Sequence, residues 1–235
     1  MNPDLLAIGF LEYVVFLFST TCHEAAHALV AVRGGDVTAL EAGQVSLSPL
    51  PHIRREPFGM VIMPLIGILT GSGLIGWASA PYNPKWAAEH PKRAALMSAA
   101  GPVANFTLAL VAAVIMRLGL AIGIFEPSPA FFTHMVGAAQ PGGVMDGVAA
   151  AVSILFSLNI LLGVFNLLPI PPLDGYGVLG LFVSPEGAIK LQQLRFQMRT
   201  FAIIGLVLAW QLFDHIFPPV FAAAGRMLYY GYRFS

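Results

Sequence analysis

The residues best equipped for chemistry are His23, Glu24 and His27, in the run Cys22-His23-Glu24-Ala25-Ala26-His27. On a helix, residues four apart are separated by about 40° around the axis and about 6 Å along it, so both imidazoles project from one face and can share an ion. Glu24 lies one step round from His23, too strained to serve as a third ligand but placed to hold a water that a metal has polarised. The chemistry this H-E-x-x-H spacing supports is metal-assisted hydrolysis. With 6 histidines and 7 glutamates in the chain, chance yields the pattern in about one such chain in two hundred. The competing reading is coincidence in a core helix, and it is weakened by the location, because ionisable groups within a hydrophobic span are costly and functional by default.

Two histidines do not complete a catalytic zinc site, which takes three protein ligands and keeps one open position. The outstanding source of the third is Asn166-Leu167-Leu168-Pro169-Ile170-Pro171-Pro172-Leu173-Asp174-Gly175. Its three prolines lack backbone N–H groups and break the helix, leaving Asp174 just past the end of a span. Taken alone, the segment reads equally well as a turn whose Asp caps the next helix. His52, followed by Arg54, Arg55 and Glu56, is a weaker candidate, since a lone loop histidine is more often a surface group.

The elements that must hold these groups are membrane spans. The chain has 235 residues, 57% of them hydrophobic and 10% charged, with a mean hydropathy of +0.77, far too apolar for a water-soluble domain of this size. Net charge is zero, so no basic field points to nucleic acid. The single cysteine, Cys22, excludes an internal disulfide and points away from the ligand face, which marks it as a small packing residue. Met1-Asn2-Pro3-Asp4 lacks the charge and cleavage pattern of a signal peptide, so Leu5 onward is expected to be a retained span.

That span, Leu5 to Val32, is about 42 Å of helix, longer than a ~30 Å hydrocarbon core. Arg33-Gly34-Gly35 stops it, about 9 Å beyond His27 and 15 Å beyond His23. Glu12, on nearly the same face as His23, reads either as lining a water path or, more commonly for such a group, as a paired or interfacial carboxylate. Asp36 to Leu50 alternates loosely around Ala42-Gly43 and suggests a short hairpin near the membrane, whose edge could pair with an extended peptide, or else a plain connector.

Phe58 to Ala80 is apolar but broken by Gly59, Pro64, Gly67, Gly71, Gly73 and Gly76. Arg33, Arg54 and Arg55 precede it and Lys85, Lys92 and Arg93 follow it, so the positive-inside rule places both flanks in the cytoplasm. The segment is therefore expected to dip and return rather than cross. Ala94 to Leu120 then crosses outward, the loop Ala121 to Met145 carries no Lys or Arg, and Asp146 to Leu168 crosses back. Arg117 is expected to snorkel to the outer interface. Thr200 to Phe217 forms a further short span stopped by Pro218-Pro219. The tail Val220 to Ser235, with Tyr229, Tyr230 and Tyr232 beside Arg226 and Arg233, reads as an interfacial helix in preference to a last span. Asp214-His215 reads as an interfacial pair in preference to a second metal site. The expected fold is an all-α polytopic membrane protein of five to six hydrophobic segments, one re-entrant or broken, with a short membrane-associated β-hairpin. It forms a single domain over 1–235, with a core over 5–175 and a C-terminal span and tail over 176–235.

At His23-Glu24-Ala25-Ala26-His27, Ala100-Gly101-Pro102-Val103-Ala104-Asn105 and Asn166 through Gly175 with its Leu-Asp-Gly ending, the sequence resembles the site-2 proteases, a family of intramembrane zinc metalloproteases. The matches lie in family order over residues 23 to 175, and Gly76-Trp77 resembles the compact, single-domain branch. The resemblance implies one zinc per chain held by His23, His27 and Asp174, with Glu24 as catalytic acid and base. It also implies that Asn166 helps hold the substrate backbone or the developing oxyanion. Arg54-Arg55 stand where an acidic residue is expected, so the family gives His52 no clear role. The implied substrate is a transmembrane protein segment in the lipid bilayer, cut in a multi-pass protein of a prokaryotic inner membrane with its site toward the cytoplasm. The oligomeric state is not legible. The rival reading is a non-proteolytic zinc-binding membrane protein, such as a metal permease or an inactive regulator, but a permease should string ligands along a path.

Overall fold

The computed structural model describes residues 3–71, 73–128 and 132–231. In chain order these form α1 (Pro3–Arg33), α2 (Thr38–Glu41), α3 (Pro49–Arg55), a π-helical turn (Phe58–Ile62) running into α4 (Met63–Thr70), α5 (Pro84–Glu89) and α6 (Pro91–Ala121). Then come β1 (Phe125–Pro127), β2 (Val136–Ala138), α7 (Val144–Asn166), α8 (Asp174–Val178), α9 (Pro185–Gln197) and α10 (Ala202–Leu228). Among the described residues four helices, α1, α6, α7 and α10, are long and apolar enough to cross a membrane, and Phe58–Thr70 is a shorter apolar helix. The expected all-α polytopic architecture is the observed one.

The spans alternate in direction. Where α1 ends, Gly35 takes a φ of 98°, a left-handed conformation that glycine adopts without a Cβ penalty. The freed Gly34 carbonyl accepts from Arg93 Nη1 (3.1 Å) and Trp86 Nε1 (3.0 Å), tying the end of α1 to the start of α6. Lys92 Nζ gathers the carbonyls of Gly180, Leu181 and Val183, so Lys92 and Arg93, expected on the same side as Arg33, lie at the end of the bundle where α1 stops. At the other end, Arg117 Nη1 donates to the carbonyls of Leu228 (3.0 Å) and Tyr230 (2.8 Å). It caps the last turn of α10 instead of merely reaching for headgroups.

Residues 36–50 do not form a hairpin. Asp36 Oδ1 accepts from the Thr38 N–H (3.0 Å) and hydroxyl (2.5 Å), its Oδ2 accepts from Asn83 N (2.8 Å), and α2 follows at once. Burial alone would raise the Asp36 carboxyl, but these donors outweigh it and hold the group below the ordinary carboxylate range, so this clamp is intact at neutral pH and lost as pH falls through that lowered value. Ser48-Pro49 then starts α3 as N-cap and first helical residue, a helix-start pair that outweighs loose alternation. His52 is not a surface group: it is buried, with Nε2 on the Ser46 carbonyl (3.1 Å). The strand pair lies instead in the loop between α6 and α7, with Phe125 opposite Ala138 and Pro127 opposite Val136. There Phe125, Met135 and Val136 join Met116, Leu120 and Phe156 in one apolar cluster.

The segment after α3 doubles back as expected. Gly71 (φ 70°) and Gly73 (φ 85°) turn the chain at the tip of α4, and residues 73–83 return without regular helix or strand. The approach is too close for side chains: a Cβ on Gly67 would lie 2.1 Å from the Gly73 carbonyl oxygen, and one on Gly59 2.2 Å from that of Trp77. Trp77 N donates to Gly59 O (3.1 Å), and Ser79 Oγ donates to Glu56 Oε1 (2.6 Å). A segment whose two ends share a hydrogen bond does not cross a bilayer.

Pro218-Pro219 does not stop the last span. α10 runs through both prolines to Leu228, although each removes an N–H from the helical ladder. Phe213, Phe217 and Phe221 stack at successive i,i+4 positions, with ring centroids 4.8 and 5.3 Å apart, and carry the helix across the gap. Residues 220–228 thus complete a span and are not a separate interfacial helix; Tyr232 and Arg233, like Met1 and Asn2, lie outside the described residues. Asp214 and His215 are exposed, and among the described residues the His215 ring bonds only its own helix, at Gln211 O (2.9 Å).

Cysteines placed at Glu56 and Ser79 in a Cys22→Ser background should cross-link through a short bifunctional reagent and react with an impermeant thiol reagent from the same side of sealed vesicles. Labelling from opposite sides would contradict the doubled-back segment.

Candidate metal centre

His23 and His27 are buried on α1, four residues apart on the face that α6 covers. The third group arrives from the far end of the sequence. α7 ends at Asn166, and the chain then makes tight turns (Ile170 N to Leu168 O, 2.8 Å; Leu173 N to Ile170 O, 2.9 Å) before α8 begins at Asp174. Leu168 and Leu173 anchor this loop in an apolar cluster with Ala209 and Phe213 of α10. Arg195 Nη2 holds the Pro172 carbonyl (2.9 Å). Close backbone approaches fix it further, since a Cβ on Gly175 would lie 2.1 Å from Leu167 O and one on Gly205 2.0 Å from Pro171 O.

The result is a triangle. His23 Nε2 and His27 Nε2 are 3.0 Å apart, and Asp174 Oδ2 is 3.0 Å from the first and 3.2 Å from the second. Which atoms carry protons follows from the outer faces of the rings. His27 Nδ1 lies 2.7 Å from the Met97 carbonyl, which can only accept, so Nδ1 carries a proton and, in the neutral ring, Nε2 carries the lone pair. His23 Nδ1 likewise donates to Asn105 Oδ1 at 2.5 Å. With both rings neutral, three acceptor atoms converge on one point, an arrangement that repels itself until a positive charge, a proton or a metal ion, enters.

The residues present fit such a cation. Two neutral imidazoles and one carboxylate oxygen are the N/O donor set of a catalytic zinc site, and among the described residues this is the one group of three metal-ligating side chains. Space is reserved for it by Gly101 on α6, where a Cβ would lie 2.4 Å from both Nε2 atoms. Each histidine also has the outer hydrogen bond that holds a ligating ring in one orientation.

Glu24 is buried beside the triangle, and among the described residues no group hydrogen-bonds its carboxylate. Asn166 is not drawn into the cluster. It remains on the last turn of α7 with Nδ2 donating to Leu162 O (3.0 Å). His52 sits on α3 and is not among the converging groups. Glu12 sits half-buried in α1, with no hydrogen-bonding partner among the described residues, and Cys22 is half-buried and free. The Met97 carbonyl and Asn105 are the contributors the sequence reading left without a role. Asparagine at 105, inside an apolar helix and four residues from Gly101, was the visible signal for the second of them.

The profile of peptidase family M50 matches residues 12–209, which takes in every one of these groups. The chain belongs to peptidase family M50. These are the site-2 proteases, intramembrane zinc metalloproteases, and the His-His-Asp triangle suits the metal that the family uses. The chain is also similar to a candidate zinc metalloprotease, YwhC of Bacillus subtilis, at 35% identity over 189 residues, covering 79% of this chain and 76% of that one. It is 32% identical over 172 residues to another candidate zinc metalloprotease, Rip2 of Mycolicibacterium smegmatis, and 33% to Rip2 of Mycobacterium tuberculosis, in each case covering 73% of this chain and 56% of the relative. No solved structure matches significantly.

Gly101→Ala should lower zinc affinity by about tenfold or more while leaving the protein folded, because the added methyl enters the ligand triangle. Chelator competition on the purified protein reads this directly, and an unchanged affinity would show that the space is not the metal's.

Proposed function

We propose that this M50 peptidase cuts transmembrane segments of membrane proteins with one zinc held by His23, His27 and Asp174 and with Glu24 as its acid and base. The observation that carries the reading is the convergence of two imidazole nitrogens and a carboxylate oxygen within 3.2 Å of one another, next to a buried carboxylate with no hydrogen-bonding partner among the described residues. Bound zinc supplies Lewis acidity, polarising the scissile carbonyl and lowering the pKa of water. Glu24 takes a proton from the attacking water and returns it to the leaving amine, a role worth about 10²- to 10⁴-fold in rate. Its lack of a partner among the described residues suits the task, because a carboxylate already paired would have to break that pair to accept a proton.

A substrate helix hides its peptide bonds in its own hydrogen bonds, so it must unwind to reach Glu24. The stretch 36–48 holds the short helix α2 followed by turns and bends, and contains no strand to offer for strand addition. The returning stretch 73–83 is the better surface for it: a Cβ on its Gly76 would meet the ring of Phe16 on α1 at 2.4 Å, so this backbone runs close beside the helix that carries the histidines. Asn166, whose Oδ1 makes no hydrogen bond among the described residues, is assigned to the substrate backbone or the developing oxyanion. The reading treats residues 1–235 as one protease domain, because α10 packs on the loop that carries Asp174. It sets the protein in a prokaryotic cell membrane with the clustered Arg and Lys, and hence the site, toward the cytoplasm.

Incubation of the purified protein with a panel of single-span membrane proteins should give cleavage that a chelator abolishes and zinc restores. Glu24→Gln should abolish cleavage and keep its zinc. Zinc uptake into vesicles without cleavage of any panel member would favour the permease reading, and full activity of Glu24→Gln would remove Glu24 from the mechanism.

A further inference from the structure

His23 and Asn105 are the visible end of a longer polar chain that crosses three spans. Asn105 Nδ2 donates to Asn159 Oδ1 (2.8 Å) on α7, and Asn159 Nδ2 donates to Ser19 Oγ (2.8 Å) on α1 and to the Leu155 carbonyl (2.8 Å) on α7 itself. Ser19, Asn105 and Asn159 are fully buried. An asparagine side chain can turn end for end, exchanging its oxygen and its NH₂, at almost no cost in shape. What decides its orientation is the partner that cannot adapt. Here that partner is the Leu155 carbonyl, an acceptor only.

The consequence passes along the chain in one direction. Because Leu155 O requires a donor, Asn159 must present Nδ2 to it and to Ser19, and therefore Oδ1 to Asn105. Asn105 must then offer Nδ2 to Asn159, and therefore Oδ1 to His23. An oxygen at that position accepts from Nδ1 and forces the ring proton there, which leaves the lone pair on Nε2, the atom that faces His27 and Asp174. With the chain reversed at any link, acceptor would face acceptor in an apolar interior.

We infer that Asn159, which touches none of the converging groups, is a positioning residue for the metal site, setting the protonated nitrogen of His23 through the orientation of Asn105. This rests on His23 being a zinc ligand. Its role differs from that of Asn105, which touches the ring, and from packing, which any residue of similar size would serve. The distinction can be drawn because a carboxylate, unlike an amide, presents an acceptor whichever way it turns. In Asn105→Asp the ring proton of His23 is held on Nδ1 with or without Asn159.

The test is a double-mutant cycle on the full chain in detergent, read by zinc affinity in chelator competition. Asn159→Ala should weaken zinc binding about 10- to 100-fold in the Asn105 background and less than about threefold in the Asn105→Asp background. In the cobalt-substituted protein, the exchangeable Nδ1–H resonance of His23 should be lost or split by Asn159→Ala and restored by adding Asn105→Asp. Equal losses of affinity in both backgrounds, or an unchanged resonance, would overturn the relay and reduce Asn159 to packing. If Asn159→Ala is not recovered folded, Asn159→Ser carries the same expectation, since its hydroxyl can bond the Leu155 carbonyl as Ser153 bonds Ala149 O (2.7 Å). His23→Ala separates the two levels of the argument. If it leaves zinc affinity unchanged, the ligand assignment itself fails; if it abolishes binding while Asn159→Ala does not weaken it, only the relay fails.

Discussion

Three lone pairs pointed at one another inside an apolar bundle are unstable without a positive charge, and the fold is built so that they cannot turn away. The rings of His23 and His27 are pinned from behind by Asn105 and Met97. Asp174 is pinned by a proline-rich loop held between α7, α9 and α10. Water cannot relieve the repulsion between neutral rings and a carboxylate cheaply at a buried site, so the site suits a bound cation. A metal held there by two neutral ligands and one anionic ligand would retain net positive charge to act on substrate.

Each span contributes one part of this arrangement. α1 supplies both imidazoles and Glu24, α6 supplies the gap at Gly101 and two outer hydrogen-bond acceptors, and the end of α7 delivers the carboxylate. Small residues allow these backbones to come close enough, as expected where helices pack without a hydrophobic drive between them. The doubled-back segment fills the remaining side of α1 against Gly9, Phe16 and their neighbours. Its two limbs are tied together by the bond from Trp77 N to Gly59 O and by that from Ser79 Oγ to Glu56.

Much of this was legible in the sequence because charge and proline are conspicuous against an apolar background. His23, Glu24, His27 and Asp174 stood out for that reason, as did the glycines and flanking arginines that mark the turn-back after Phe58. The failures have equally physical causes. Residues 36–50 alternate too weakly to outweigh Asp36 and Ser48-Pro49 as local helix starters. The pair Pro218-Pro219 looked terminal because the stacking of Phe213, Phe217 and Phe221 across it depends on a helix already formed. The β1–β2 pair escaped notice since its strands are three residues each and lie in a loop with no periodic signal. Asn105 and Asn159 were visible as polar residues in spans, but the direction of a hydrogen-bonded chain is a property of three-dimensional contact.

The central claim is that two imidazole nitrogens and one carboxylate oxygen, and no sulfur, hold a single zinc. X-ray absorption spectroscopy with metal analysis on the purified full chain tests it most directly. The account predicts one zinc per chain in an N/O-only shell with two imidazoles, and loss of that zinc in Asp174→Ala. A sulfur ligand from Cys22, or a zinc retained with an unchanged shell in Asp174→Ala, would contradict it.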